Sequence, residues 1–294
     1  MLNERLQPTP HSEFRIPHSS DRCCQISPRE AKVRDPDGSL AKECSVFVAA
    51  TTECFLDLSL PAALDRLADL EFTSVELALF EDADHLKPSQ VLSDIERAAG
   101  LCRNARRLDV VAFDVRITAV KDEHYEQFTA VCKLARIAKV VTLTVPSAEL
   151  GTPFNEEVEH LRRLVDIATL CGVRVGMKSQ VGRLSEDPDT VTVLCDNVKG
   201  LGLTLDPSHY IFGPCQGRSI DKLMKYVYHV HLRDTSKKAL QVRVGQGEVE
   251  YGRLIHQLQK LKYNRALCVN IREMPEVDHV GELRKLRLLL ESLL

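Results

Sequence analysis

Residues Leu201–His209 read Leu-Gly-Leu-Thr-Leu-Asp-Pro-Ser-His, an apolar run that ends on Asp206 and His209. In a parallel strand with two buried faces the apolar run is nearly continuous, and the first polar side chain after it lies at the carboxyl edge of the sheet. Proteins of the α/β class place their chemistry at that edge. Asp206 and His209 are therefore the first candidates for catalytic residues.

Two other apolar runs end in the same way. The run Val173–Lys178 ends on a lysine, and the run Tyr228–Leu232 carries His229 and His231. Because the carboxyl ends of parallel strands meet at one edge of a sheet, the polar residues of the three runs are expected to lie close together.

Strand-like runs alternate with helix-like segments from Ser45 to the C-terminus, and the helices include one over 88–106 and one over 220–225. Eight strands, each followed by a helix, predict an α/β fold: a single (β/α)8 TIM barrel over residues 45–294. An open doubly wound sheet competes with this interpretation, but the first strand lacks the Gly-rich phosphate loop of that fold. The predicted strands are Ser45–Ala50, Ser74–Phe80, Asp109–Ile117, Val140–Val145, Val173–Lys178, Leu201–Asp206, Tyr228–Leu232 and Ala266–Ile271.

The first 44 residues differ from the rest of the chain. They contain prolines at positions 8, 10, 17, 28 and 36, many charges and few periodic apolar positions. Such a segment cannot bury enough apolar surface to fold alone. Residues 1–44 are therefore predicted to form a disordered N-terminal extension.

Composition excludes several classes of partner. The chain has 294 residues, 44% of them hydrophobic, and a formal net charge of −3. This balance speaks against nucleic acid and against a membrane surface as partner, and no apolar run reaches the length of a membrane span. The cysteines are scattered through apolar stretches, which favours buried reduced thiols. We expect a cytoplasmic protein whose partner is a small molecule, with a homo-oligomer left open.

Three segments, in this order and spacing, resemble the xylose isomerase-like family of TIM barrels. They are Gly200–His209, His229–Asp234 and Val244–Tyr251, and the strand Ser74–Leu77 with Glu76 also looks like that family's second strand. The family comprises sugar isomerases and epimerases, with endonuclease IV and inosose-dehydratase relatives. The resemblance implies a substrate pocket at the carboxyl face of the barrel and a small-molecule sugar or sugar phosphate as partner.

The resemblance also implies a divalent metal, held by a Glu, an Asp, a His and a Glu at the ends of strands five to eight. Asp206 and His231 match the second and third of these ligands, and His209 matches the histidine that follows the Asp. Lys178 and Asn270 stand where the two Glu ligands are expected. An ammonium and an amide in place of two carboxylates do not suit a hard divalent cation.

The sequence therefore suggests that an ion pair between Lys178 and Asp206, flanked by His209 and His231, replaces the metal. A buried Asp206 would otherwise be an unpaired charge that costs several kcal/mol. We expect either no cofactor or a weakly bound divalent metal such as Mn²⁺, Mg²⁺, Co²⁺ or Zn²⁺, and we favour the metal-free site.

Three functions remain open. The first is a sugar isomerase or epimerase in which Asp206, His209, His231 and Glu76 transfer a proton next to a carbonyl. In the second, Lys178 is an amine nucleophile that forms a Schiff base with a carbonyl substrate. The third is a catalytically silent binding or scaffold barrel.

Three further residues are candidates for substrate binding. Asn270 lies at the end of strand eight, and Lys237 and Arg243 lie in the loop after strand seven, where they could hold a phosphate or carboxylate. His229 shares the strand face of His231 and is expected one layer deeper, as a core histidine.

Overall fold

The eight strands form a closed parallel barrel in the computed structural model, which describes residues 46–105 and 107–294. Each strand pairs with the next, and the last pairs with the first. The predicted single (β/α)8 TIM barrel is confirmed, whereas the extension predicted for residues 1–44 lies outside the described residues. The strands are β1 Phe47–Thr51, β2 Ser74–Phe80, β3 Asp109–Arg116, β4 Thr142–Pro146, β5 Arg174–Lys178, β6 Leu201–Leu205, β7 Val227–Leu232 and β8 Ala266–Val269.

Helices cover the outside of the barrel. In the described part of the chain the α-helices are α1 Leu60–Asp69, α2 Pro88–Ser93, α3 Ile95–Arg103, α4 Lys121–Ile137, α5 Phe154–Leu170, α6 Pro188–Asn197, α7 Ser208–Ile211, α8 Tyr251–Lys260 and α9 His279–Glu291. Short 3₁₀ helices span Thr52–Phe55, Leu184–Glu186 and Asp221–Tyr226. None of the helices in these described ranges has the length and apolar character needed to cross a membrane.

Two predicted helices differ from the structure. The helix expected over 88–106 is divided at Asp94, whose backbone is not helical (φ −150°) and whose side chain accepts a hydrogen bond from the Arg97 amide at 2.9 Å. Asp94 thus caps α3, because a short acidic side chain satisfies a free amide at a helix start. The helix expected over 220–225 is the 3₁₀ helix Asp221–Tyr226.

The two faces of the barrel wall have different chemistry. Outward-facing residues such as Leu77, Leu143 and Leu203 are almost fully buried and join the core between the strands and the helices. The interior is polar: Thr144 Oγ1 and Thr204 Oγ1, on the non-adjacent strands β4 and β6, lie 2.8 Å apart across the barrel. Bulky branched residues usually fill a barrel of this type, so a polar interior indicates that hydrogen bonds and ion pairs hold its centre together.

Gly202 in β6 makes room for the ring of Tyr228. A Cβ at position 202 would lie 2.2 Å from Tyr228 Cδ2, whereas a Cβ at Gly100 in α3 would meet nothing within 4 Å. We predict that Gly202→Ala lowers the free energy of unfolding by about 1–3 kcal/mol through overpacking. Gly100→Ala, the matched control, should raise it by about 0.5–1 kcal/mol through helix propensity. Urea denaturation of both variants checks this, and equal effects would contradict it.

Candidate functional site

A cavity of about 180 Å³ opens at the carboxyl ends of the strands. We call it the mouth cavity. Its wall combines four cationic side chains, two carboxylates and an imidazole with a few neutral residues. The lining residues are Glu53, Asp114, Val115, Arg116, Pro146, Lys178, Gln180, His209, Arg233, Leu240 and Arg272.

Lys178, the last residue of β5, points across the barrel. Its Nζ donates to Asp114 Oδ2 at 2.6 Å and to Glu53 Oε2 at 3.4 Å. Burial alone would lower the pKa of Lys178, but Asp114 and Glu53 raise it above its usual range. The predicted ion pair between Lys178 and Asp206 is therefore wrong: the ammonium is held by carboxylates from β3 and from the turn after β1.

Asp206 has a different cation. It is fully buried, and its Oδ2 accepts from Arg233 Nη2 at 3.0 Å while its Oδ1 accepts from the Ser208 amide at 3.0 Å. Burial would raise the pKa of Asp206, but Arg233 and then His209 hold it below its usual range. Arg233 directly follows β7, the neighbour of β6, and this position explains why its guanidinium takes the place that the sequence assigned to Lys178.

His209 lines the mouth cavity as a neutral imidazole. The Val181 amide donates to its Nδ1 at 3.2 Å, so the ring proton resides on Nε2, which lies 3.6 Å from Asp206 Oδ2. Burial lowers the pKa of His209 to about 4, and the attraction of Asp206 does not overcome this. His209 is therefore a hydrogen-bond donor to the cavity at neutral pH.

Glu53 connects the mouth cavity to β8. It accepts from Asn270 Nδ2 at 2.9 Å, forms an ion pair with Arg272, and lies 3.8 Å from Arg116 Nη2. Burial would raise the pKa of Glu53, but Lys178 and then Arg272 hold it well below its usual range. Asn270 is fully buried, contacts Glu53 rather than the cavity, and so does not occupy the predicted substrate-binding position.

Glu76 and His231 do not line the mouth cavity, and their roles in proton transfer stay predictions. Both are fully buried, and His231 Nε2 lies 2.8 Å from Glu76 Oε1. His229 is also buried, as predicted, and its Nε2 lies 2.7 Å from Glu76 Oε2. Burial would raise the pKa of Glu76, but the imidazoles of His231 and His229 hold it below its usual range.

Lys237 and Arg243 were predicted to bind substrate, but neither lines the mouth cavity. Lys237 is exposed and lies 3.6 Å from Glu248, while Arg243 donates to the Glu276 carbonyl at 3.5 Å. Their loop is folded around Asp234, a residue that carries none of the predicted roles.

The loop after β7 is closed by backbone hydrogen bonds to Asp234. Its Oδ2 accepts from the amides of Gly245 at 2.7 Å and Gly247 at 3.0 Å. Gly245 has a φ of +86°, and a Cβ at Gly247 would lie 2.0 Å from Asp234 Oδ1. Both glycines are therefore required by the backbone of this turn.

Sequence analysis missed Glu53, Asp114 and Arg233. Asp114 is the sixth residue of β3 and Glu53 follows β1, so both lie near carboxyl strand ends, the signal used for Asp206. Arg233 is part of the His229–Asp234 segment that carries the resemblance.

The residues at the position implied for the metal do not fit a divalent cation. Only two of the four expected ligands, Asp206 and His231, are present. Asp206 is bound by Arg233, and His231 Nε2 faces Glu76. The Lys178 ammonium ends β5, where a carboxylate ligand is expected. We therefore derive no chemistry from a metal at this position.

The Lys178–Asp114 pair generates a prediction about stability. Lys178→Met leaves a buried carboxylate without its cation, and breaking a buried pair in this way costs about 3–5 kcal/mol. The double variant Lys178→Met/Asp114→Asn should recover part of that loss, because the carboxylate that Lys178→Met leaves unpaired is then also removed. Urea denaturation of the two single variants and the double variant gives the coupling energy. Additive effects would contradict the pair.

A second prediction concerns acid stability. Because the pKa of His209 is lowered from 6.5 to about 4, the unfolded chain binds a proton in this window and the folded chain does not. Stability should fall by up to about 3 kcal/mol as the pH drops from 6.5 to 4. The free energy of unfolding of wild type and of His209→Gln is measured by urea denaturation at each pH. The difference between the two proteins isolates the contribution of His209. Exposed His256→Gln is the control, and a flat difference for His209→Gln would contradict the assignment.

Comparison with known proteins agrees with this architecture. A family profile described as xylose isomerase-like TIM barrel matches residues 64–291. A search of curated proteins finds no match. Similar solved structures include a D-tagatose 3-epimerase-like protein, with 15% identity and a TM-score of 0.66 over 84% of this chain and 98% of that chain.

Two further structures are similar in fold. The probable 3-DHS dehydratase AsbF from Bacillus anthracis has 13% identity and a TM-score of 0.63, covering 83% of this chain and 98% of that chain. A xylose isomerase-like TIM barrel protein from Mycobacterium smegmatis, in complex with magnesium, has 14% identity and a TM-score of 0.62, covering 88% and 92%. The profile match extends over most of the barrel, and the chain therefore belongs to the xylose isomerase-like TIM barrel family.

Proposed function

We propose that the mouth cavity binds a small anionic sugar derivative, a sugar acid or a sugar phosphate, and isomerises it by proton transfer next to its carbonyl. The proposal places no metal at the position implied by the family. The observation that carries it is the Lys178 ammonium, held on the cavity wall between Asp114 and Glu53. A fixed cation at this position can polarise a substrate oxygen, which is the task of the metal in a metal-dependent isomerase.

The charge of the cavity favours an anion. The four lining cations outnumber the two lining carboxylates, and they still exceed them by one when Asp206 behind Arg233 is included. Arg272 and Arg116 are partly exposed at the entrance. Guanidinium groups match carboxylates and phosphates with two parallel hydrogen bonds, so this entrance suits either group.

The buried Nε of Arg233 also supports the binding of a ligand in the mouth cavity. Its Nε is buried and has no hydrogen-bond partner among the described residues, although its Nη2 is bound to Asp206. A buried donor without a partner costs about 1–3 kcal/mol. A substrate oxygen in the mouth cavity would supply the missing acceptor.

Asp114 is the proposed base. It lines the cavity, and burial raises its pKa despite the opposing charge of Lys178. The carboxylate takes the proton from the carbon beside the carbonyl, and the electron pair of that C–H bond forms an enediolate. Lys178 and Arg233 stabilise the developing oxyanion, and the Nε2–H of His209 can donate to a neighbouring hydroxyl. The proton of the neighbouring hydroxyl passes to the former carbonyl oxygen, and the Asp114 carboxyl returns its own proton to the former carbonyl carbon. The carbonyl then lies on the adjacent carbon, which completes the isomerisation.

The geometry speaks against the Schiff-base alternative. A Schiff base requires a neutral amine, whereas the two carboxylates keep Lys178 protonated. A silent binding barrel needs the same anion site without turnover, so a turnover experiment separates it from the isomerase.

The state of the cysteines is consistent with a cytoplasmic enzyme. The cysteines of the described part of the chain are all free, and most are buried. Free thiols persist in a reducing compartment. Epimerase and dehydratase appear in the names of structurally similar proteins, which supports proton-transfer chemistry as the class to test first.

Solvent deuterium exchange tests the proposal without knowledge of the substrate. The protein is incubated in D₂O with a panel of ketose phosphates and keto sugar acids, and NMR follows deuterium entry beside the carbonyl. We predict exchange that resists EDTA and that Asp114→Asn lowers by about 10²–10⁴-fold, the usual contribution of a general base. Asp166→Asn, on the exposed surface of α5, is the matched control and should behave as wild type.

Other outcomes have distinct meanings. Exchange that disappears with EDTA and returns with Mn²⁺ would contradict the metal-free mouth. Borohydride trapping of a substrate on wild type but not on Lys178→Met would establish the Schiff base instead. Anion-dependent thermal stabilisation, lost in Arg272→Gln and without any exchange, would identify a silent binding barrel.

A further inference from the structure

A second group of chemically active side chains lies inside the barrel, apart from the mouth cavity. It consists of Glu76 from β2, His229 and His231 from β7, and Cys268 from β8. All four are 0–2% exposed, and each offers one ligand atom within 4.8 Å of the others. We call these residues the inner cluster.

The geometry of the inner cluster is not that of a completed hydrogen-bond network. His229 Nε2 forms an ion pair with Glu76 Oε2 at 2.7 Å, but this contact falls outside hydrogen-bond geometry. His231 Nε2 lies 2.8 Å from Glu76 Oε1, and Cys268 Sγ lies 3.9 Å from the same oxygen. A fully buried nitrogen in a poorly aligned contact would gain a ligand bond from an electron-pair acceptor at the centre of the cluster.

Strand register explains why the four ligands converge. His229 and His231 are two residues apart on β7 and therefore share its inner face. Cys268 is the direct register partner of His231 on the neighbouring strand β8. Glu76 reaches them from β2, which only β1 separates from β8, so the cluster connects three strands on one side of the barrel.

Charge balance favours a divalent cation. Glu76 is a carboxylate that the Lys178 ammonium does not contact, and its polar neighbours in the cluster are imidazoles and a thiol. A dication bound by one carboxylate, one thiolate and two neutral imidazoles gives a net charge of zero. Neutral sites are favoured where no water can solvate a charge.

The donor set selects the metal. Two nitrogens, one sulfur and one oxygen in a closed four-ligand group are typical of structural Zn²⁺. Zinc bonds of about 2.0–2.3 Å place tetrahedral ligands about 3.3–3.8 Å apart. The cluster reaches this geometry if the carboxylate retreats slightly from the imidazoles and the sulfur approaches.

We propose that Glu76, His229, His231 and Cys268 form a structural zinc site inside the barrel. The site shares His231 with the ligand set that the family resemblance implies, but its other three ligands, Glu76, His229 and Cys268, are different residues. Binding displaces the thiol proton of Cys268 and requires the ring proton of each histidine on Nδ1. Asn270 Nδ2 lies 3.4 Å from Nδ1 of His231 and would have to move away from that proton. Because the ligands are buried, the metal enters during folding and native protein retains it in chelator.

The experiment measures zinc in protein expressed with supplemented zinc and purified in EDTA. We expect about one zinc per chain, and Co²⁺ incorporated during expression should show a thiolate-to-metal charge-transfer band. Cys268→Ser should abolish that band and His229→Gln should lower the zinc content at least about tenfold. Cys132→Ser, a buried cysteine in α4, is the matched control and should change neither.

Asp206→Asn distinguishes the two positions in the barrel, because only a metal at the mouth depends on Asp206. Zinc that is lost in Asp206→Asn but kept in His229→Gln would overturn the proposal. Wild-type protein without zinc or a cobalt–thiolate band would also overturn it and would identify the inner cluster as a metal-free polar core. This wild-type measurement decides the matter even if a variant fails to fold.

Discussion

The ion pair of Lys178 with Asp114 and Glu53 is the interaction on which the mouth of the barrel depends. A lysine at the end of β5 is buried on folding, and its ammonium is tolerated only with a carboxylate in hydrogen-bond distance. Asp114 and Glu53 fulfil that condition. Glu53 in turn holds Asn270 and Arg272, so one buried cation organises residues of β3 and β5 and of the segments that follow β1 and β8.

Each buried charged side chain needs a partner of opposite charge or a hydrogen bond. The polar residues inside the barrel form two groups that meet this need with different chemistry. At the mouth, acids and cations face one another around a cavity, and the excess of positive charge suits an anionic ligand. In the inner cluster, Glu76 meets imidazoles and a thiol, ligands that suit a soft or borderline metal. His231 belongs to the inner cluster, although a family resemblance places it at the mouth. The chain thus has the barrel architecture of its family, with an ammonium and an amide at two of the positions where the resemblance implies carboxylate ligands.

Sequence patterns located the active edge more reliably than they identified the contacts on it. Lys178 and His209 line the mouth cavity and Asp206 lies directly behind it, because an apolar run followed by a polar residue marks a carboxyl strand end. The partner of Lys178 was not predictable in this way. Asp114 lies 64 positions away along the chain, and the reach of the ammonium across the barrel depends on the curvature of the closed sheet. Arg233 follows β7, the strand next to β6, so its pairing with Asp206 depends on strand order and not on reach across the barrel.

The sequence by itself determined the eight-stranded barrel and the carboxyl edge at which the polar residues Lys178, Asp206 and His209 end their strands. These properties follow from local periodicity and chain order, which a linear pattern records. Only the tertiary structure decided that Lys178 binds Asp114 and Glu53, that Arg233 binds Asp206, and that His229 and His231 meet Glu76. Which buried charge finds which partner depends on distances across the closed barrel, and those distances exist only when all eight strands are in register.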